Sequence, residues 1–99
     1  MAIVDVAPRA AADVDTILVH LHGRDGLAAA DRQQAAFKVA ARRLALHPEF
    51  GRSRPDIGPD LRSVLTHPYV LIYRYDRATD TVSVLRVLHG RRRLALDAL

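Results

Sequence analysis

Tyr69-Val70-Leu71-Ile72-Tyr73-Arg74-Tyr75 and, beyond the six residues Asp76–Thr81, Val82-Ser83-Val84-Leu85-Arg86-Val87-Leu88 are both rich in β-branched and aromatic side chains. Such side chains suit a pleated sheet, and the polar stretch between the two runs reads as a hairpin loop. Immediately upstream, Leu61–Leu65 is a third, shorter strand candidate. Residues 48–60 (PEFGRSRPDIGPD) hold three prolines and two glycines, a composition that excludes a long helix or strand and predicts a loop. The second half of the chain is therefore a small antiparallel sheet.

The first half has a different period. Ala2–Val6 is a short apolar run ended by Ala7-Pro8, and reads as a strand. Pro8 suits the first turn of a helix, where its missing N–H is no loss. Val14, Ile17, Leu18 and Leu21 then recur at helical spacing, with Asp13 and Asp15 off that stripe, where the positive end of the helix dipole tolerates them. Gly23 and Gly26 are expected to bracket a turn at Arg24-Asp25. A second helix is predicted over Leu27–Leu46, with Phe37, Ala40, Ala41 and Leu44 on one face and His47-Pro48 as its stop. So short a connection makes the two helices an antiparallel hairpin. The order is strand, helix, helix and then three strands: an α+β domain with two helices on one face of a largely antiparallel three-stranded sheet. The tail, His89–Leu99, begins basic and is expected to end in a helical turn over Leu94–Leu99.

Ninety-nine residues fill one domain. The absence of cysteine excludes disulfides, thiolate catalysis and cysteine zinc sites. No apolar run approaches the roughly 20 residues that span a bilayer. Asp5, Asp13 and Asp15 interrupt the N-terminal apolar stretches, unlike a secretory signal, so a soluble, cytoplasmic protein with no membrane partner is expected. His20 and His22, two apart on a helix, do not share a face, so neither a metal nor a cofactor is expected. Charge is uneven along the chain. Residues 1–49 carry six basic and six acidic groups, whereas residues 50–99 carry nine arginines against five aspartates. That asymmetry points to an acidic partner for the second half.

Three segments in order carry a family resemblance: Gly51-Arg52-Ser53-Arg54-Pro55 through Leu61-Arg62-Ser63, then Tyr69–Arg74, then Val84-Leu85-Arg86-Val87-Leu88-His89-Gly90-Arg91-Arg92. In this order and spacing the chain resembles the RelE/ParE toxins, and within them the ParE branch. The resemblance implies the toxin half of a type II toxin–antitoxin pair of the plasmid-stabilisation type. It implies a ParD-like antitoxin that neutralises the toxin and alone carries it to operator DNA, and DNA gyrase as the target. A second member type, the RelE-like ribosome-dependent mRNA endoribonuclease, uses strand arginines and lysines and a C-terminal tyrosine. Here the central-strand arginine position falls on Val70, no tyrosine follows Tyr75, and Lys38 is the sole lysine. A nuclease reading would have to rest on His89 as acid or base with arginines as phosphate clamps. A third reading is an inactive relative that only binds its antitoxin. On any of these readings the partner- or target-binding candidates are Arg62, Arg74, Arg86, His89, Arg91, Arg92 and Arg93. Arg74 and Arg86 would line one basic groove if both turned away from the helices. The alternative is that they snorkel at the sheet surface and pair with Asp60 or Asp76.

Overall fold

A computed structural model describes residues 1–91. Strand β1 spans Ile3–Val6, helix α1 Pro8–Asp25, helix α2 Leu27–Leu46, and strands β2 to β5 span Arg52–Ser53, Leu61–Thr66, Tyr69–Asp76 and Thr81–His89. The α+β order expected from the sequence holds, but the sheet has five strands rather than three, in the order β1-β5-β4-β3-β2. The two added strands come from opposite sources. β1 pairs in parallel with β5, from Ile3 opposite Thr81 to Val6 opposite Val84. β2 is two residues of the proline-rich loop that pair antiparallel with Ser63 and Arg62. The expected helical turn at Leu94–Leu99 lies outside the described residues, as do Arg92 and Arg93.

The helix hairpin is tighter than its two glycines suggest. α1 runs through Gly23, Arg24 and Asp25, and Gly26 alone makes the turn at φ 92°, a left-handed value that favours glycine. Arg24 bonds to the adjacent Asp25 on the helix surface. Ala10 and Leu21 of α1 and Ala30, Phe37, Ala40 and Leu44 of α2 are buried. The alanines let the helices approach the sheet and each other closely.

The sheet is covered on both sides, by different means. On the helix side, Ala10, Phe37, Ala40 and Leu44 pack with Val64, Tyr69, Leu71, Tyr73, Val82, Val84 and Val87. The Phe37 and Tyr69 rings sit 5.7 Å apart at a tilt of 58°, within the range of separations that aromatic pairs favour. On the other side, Ile57 of the loop, fully buried, caps a smaller cluster with Leu61, Ile72 and Leu88. Strict alternation along β5 would keep Val82, Val84, residue 86 and Leu88 on one face. Instead the register slips between Ile72 opposite Arg86 and Tyr73 opposite Val84, leaving Leu85 as an inserted residue. The bulge lets Val87 join the helix-side core while Leu88 joins the other.

At this bulge α1 is tied to the sheet. β1 ends at Val6, and Ala7 N–H closes the pairing on the Val84 carbonyl at 2.9 Å. Just beyond, Asp13 accepts from Arg86 Nε at 2.7 Å, from Arg86 Nη2 at 3.1 Å and from the Val87 backbone N–H at 3.0 Å. Arg86 is only 6% exposed. Asp13 thus serves as the acceptor that β5 would otherwise lack once β1 has left its edge. The Arg86 guanidinium holds its proton more firmly than usual, chiefly through the bond to Asp13 and against the cost of burial. Removing one member of a buried pair leaves the other desolvated and unmatched. Urea unfolding of Asp13→Ala should accordingly show a loss of about 3 kcal/mol. A loss below about 1 kcal/mol, the value of an exposed pair, would show that solvent replaces the carboxylate.

Candidate functional site

The loop that follows α2 is fastened to the sheet by β3 and β4. Arg62 and Tyr73 stand opposite each other on neighbouring strands. Arg62 Nη1 donates to the carbonyls of Glu49 at 3.0 Å and Gly51 at 2.9 Å. The Gly51 N–H donates to the Tyr73 hydroxyl at 2.9 Å. A Cβ on Gly51 would lie 2.5 Å from that hydroxyl, so the backbone needs glycine there to come this close. Further along, Arg54 donates to Asp56 at 3.0 and 2.8 Å and to the Ser63 hydroxyl at 3.4 Å, holding the turn that carries Ile57. The Arg54 guanidinium holds the Asp56 carboxyl below its usual range, and Arg77, bonded to Glu49 at 2.6 Å, does the same for Glu49.

The cationic candidates fall in separate places, with Arg62 and Arg74 lining one cleft. Arg62 pins the loop, and Arg86 is buried against Asp13, so the groove shared by Arg74 and Arg86 does not form. Arg86 joins neither Asp60 nor Asp76. Arg74 is exposed, opposite Leu61 and Ser83, in a cleft of about 620 Å³ that it shares with Asp60, Asp76, Arg77 and Glu49. His89 and Arg91 lie elsewhere, at the end of β5. The His89 Nδ1 accepts the Arg91 backbone N–H at 3.1 Å, and its ring stands edge-on to Tyr69 at 5.6 Å. Val70, where the endoribonuclease pattern has an arginine, packs against the Ile57–Leu88 cluster. Sequence reasoning passed over His67, which the β3–β4 turn places beside His89 and Arg91. A histidine in a two-residue turn carries no periodic signal, so only the strand pairing reveals it. Among the described residues no group of three histidine or carboxylate side chains is placed to hold a metal ion.

A family model described as the ParE toxin of the type II toxin–antitoxin system parDE matches residues 4–94. The chain belongs to the ParE toxin family. It is 31% identical over 83 residues to Toxin ParE3 of Caulobacter vibrioides, covering 84% of this chain and 81% of that protein. Its fold is similar to that in a chromosomal ParDE toxin–antitoxin system of P. aeruginosa, with a TM-score of 0.76, 22% identity and coverage of 90% and 96% of the two chains. The intact E. coli RelBE toxin–antitoxin complex matches at a TM-score of 0.60 and 21% identity, over 93% and 100% of the chains. The fold is thus shared with both branches, and sequence identity places the chain with ParE. No helix among the described residues is long and apolar enough to cross a membrane.

The loop anchor gives this ParE-family chain a predictable alkaline behaviour. Burial pushes the Tyr73 phenol above its ordinary 10.0, outweighing the bond from Gly51. In the unfolded chain the same phenol ionises near its ordinary value, so above that pH the unfolded state binds fewer protons than the folded one. The resulting stability is full below the unfolded value and is lost as pH rises through the folded one. Denaturation midpoints taken between about pH 8 and 11 should fall at the alkaline end. Tyr73→Phe should flatten that fall, at a cost of about 1 kcal/mol at neutral pH for the unmatched Gly51 N–H. An unchanged slope in Tyr73→Phe would assign the alkaline loss to other groups.

Proposed function

We propose that this ParE-family toxin arrests growth by binding DNA gyrase stoichiometrically, and that a ParD-like antitoxin neutralises it and brings it to operator DNA. Kinship with Toxin ParE3 supports the toxin role. The observation that favours binding over RNA cleavage is that strand positions suited to a catalytic arginine are taken up by the fold: Val70 packs against the Ile57–Leu88 cluster and Arg86 is buried against Asp13. Arg62 and Arg86 are committed to holding the fold, and Arg74 stands in a different cleft from His89 and Arg91. A cleavage site needs a phosphate clamp beside its acid and base, and the strand position that supplies one in the endoribonuclease pattern is Val70 here. Dispersed exposed charges instead raise association rate and specificity across a broad contact.

The outer face of α2 and the start of the loop beyond it support the antitoxin reading. Val39 and Leu46 on the helix and Phe50 just past it are 59%, 55% and 41% exposed, beside Arg42, Arg43 and Lys38. Arg43 stacks over the Phe50 ring at 4.6 Å, so charge and apolar surface are interleaved rather than segregated. An amphipathic acidic arm suits such a stripe, laying apolar side chains along the helix with carboxylates over the basic flank. A toxin carried on a mobile element or chromosome with its antitoxin would act in the cytoplasm as a stabilisation device.

Induced expression should stop growth, and co-expression of the neighbouring antitoxin reading frame should restore it. Purified toxin should inhibit supercoiling by gyrase in proportion to the toxin-to-gyrase ratio, without cutting mRNA on ribosomes. Arg91→Ala with Arg92→Ala should weaken that inhibition about tenfold, mostly through association rate. Ribosome-dependent mRNA cuts with unaffected gyrase would replace this reading with the endoribonuclease. Arrest in neither assay would leave an inactive relative.

A further inference from the structure

The β3–β4 turn and the end of β5 enclose a cleft of about 410 Å³ lined by Leu65, His67, Pro68, His89, Gly90 and Arg91. Among these residues there is no carboxylate, which sets it apart from the cleft around Arg74, where Glu49, Asp60 and Asp76 stand among the arginines. Its two walls are locked together. Gly90 N–H donates to the Pro68 carbonyl at 2.8 Å, and a Cβ on Gly90 would stand 3.1 Å from that oxygen, so the turns meet without a side chain between them. His89 is oriented as well. Its ring rests edge-on against the buried Tyr69, and its Nδ1 accepts the Arg91 N–H. A ring that accepts at Nδ1 carries its proton on Nε2, so neutral His89 offers a donor as its remaining polar atom.

The geometry points to a binding site for a phosphoryl group, with His67, His89 and Arg91 as its donors. Two imidazoles and a guanidinium supply hydrogen-bond donors with no anionic competitor among the described lining residues, and a guanidinium matches the oxygens of phosphate in a fork. The exposed Leu65 and the half-buried Pro68 add an apolar wall beside the charge. A bare ion has no use for such a wall, whereas a nucleotide can lay the apolar face of its base there beside its phosphate. The volume is within the range of roughly 300–1,000 Å³ of small-ligand sites. The ligand class is therefore the phosphate of a nucleotide or nucleic acid strand. The site binds and does not by itself imply cleavage, and it stands whether or not gyrase is the toxin's target.

The test follows the imidazole resonances of the full chain by NMR while sodium phosphate is added at constant ionic strength. The five histidines provide internal controls, since His20, His22 and His47 lie outside the cleft. Saturable shifts confined to His67 and His89 are expected, with affinity reduced about tenfold in His67→Ala, as befits loss of one donor to a charged group. Arg91→Ala should weaken binding similarly while leaving the His67 and His89 signals in place, which shows the cleft still folded. Oligothymidylate with and without a 5′-phosphate separates the sources. Shifts with both assign the internal phosphodiester, and shifts only with the phosphorylated strand assign the terminal group. Equal movement of all five histidines, or no saturation with phosphate, overturns the site. So does acetate binding as tightly as phosphate, which would make the ligand a carboxylate of a protein partner.

Discussion

Asp13 takes three hydrogen bonds from two consecutive residues of β5, and much of the molecule's arrangement follows from that one carboxylate. β1 must leave the sheet at Val6 for α1 to begin at Pro8, so β5 is exposed on that edge just where its bulge lies. An uncovered edge with unmatched N–H groups is unstable when buried and prone to wrong pairing when exposed. Asp13 covers this point and positions α1 across the strand in the same contact. The arginine at the bulge has an acceptor because the helix starts there, and the helix crosses β5 there because the arginine is waiting.

The far side of the sheet depends on a different device. Its apolar cluster is too small to call for a helix, and a loop closes it through Ile57. A loop can act as a lid on a core only if its backbone is tied down, since its polar groups gain no partners from regular structure. Arg62, Tyr73 and Arg54 provide those ties from the strands and from within the loop. The proline-rich segment is therefore a structural layer, and Arg54 within it is occupied in building it.

Element order and the limits of α2 were legible because a long amphipathic period ended by His47-Pro48 and two β-rich runs are strong local signals. The parts that were not legible depend on contacts distant in sequence. Nothing in Ala2–Val6 says that it pairs with residues 81–84, and two residues of β2 carry no period at all. The bulge was hidden in an alternation that seems regular until the partner strand is known. Arg86 in the midst of Val84-Leu85-Arg86-Val87-Leu88 was the one available hint that a charge is buried. Its partner, 73 residues away, could be found only in three dimensions. The surface residues follow the same rule. Arg74 was visible as an exposed strand position, whereas His67 gained meaning only from the turn that brings it to His89.

The strand order also governs when the toxin comes into being. β5, the last strand described, lies between β1 and β4, so the first strand has no place in the sheet until residues 81–89 exist. A chain still being translated can form its helix hairpin from local contacts, but not the fold on which its surfaces depend, because those pairings span nearly the whole sequence. The molecule therefore becomes a folded toxin only once residues 81–89 have been made, and a chain that stops short of them lacks both the strand that pairs with β1 and the arginine that anchors α1. Topology thus sets an order of assembly, with the helix hairpin able to form early and the closed sheet only after β5.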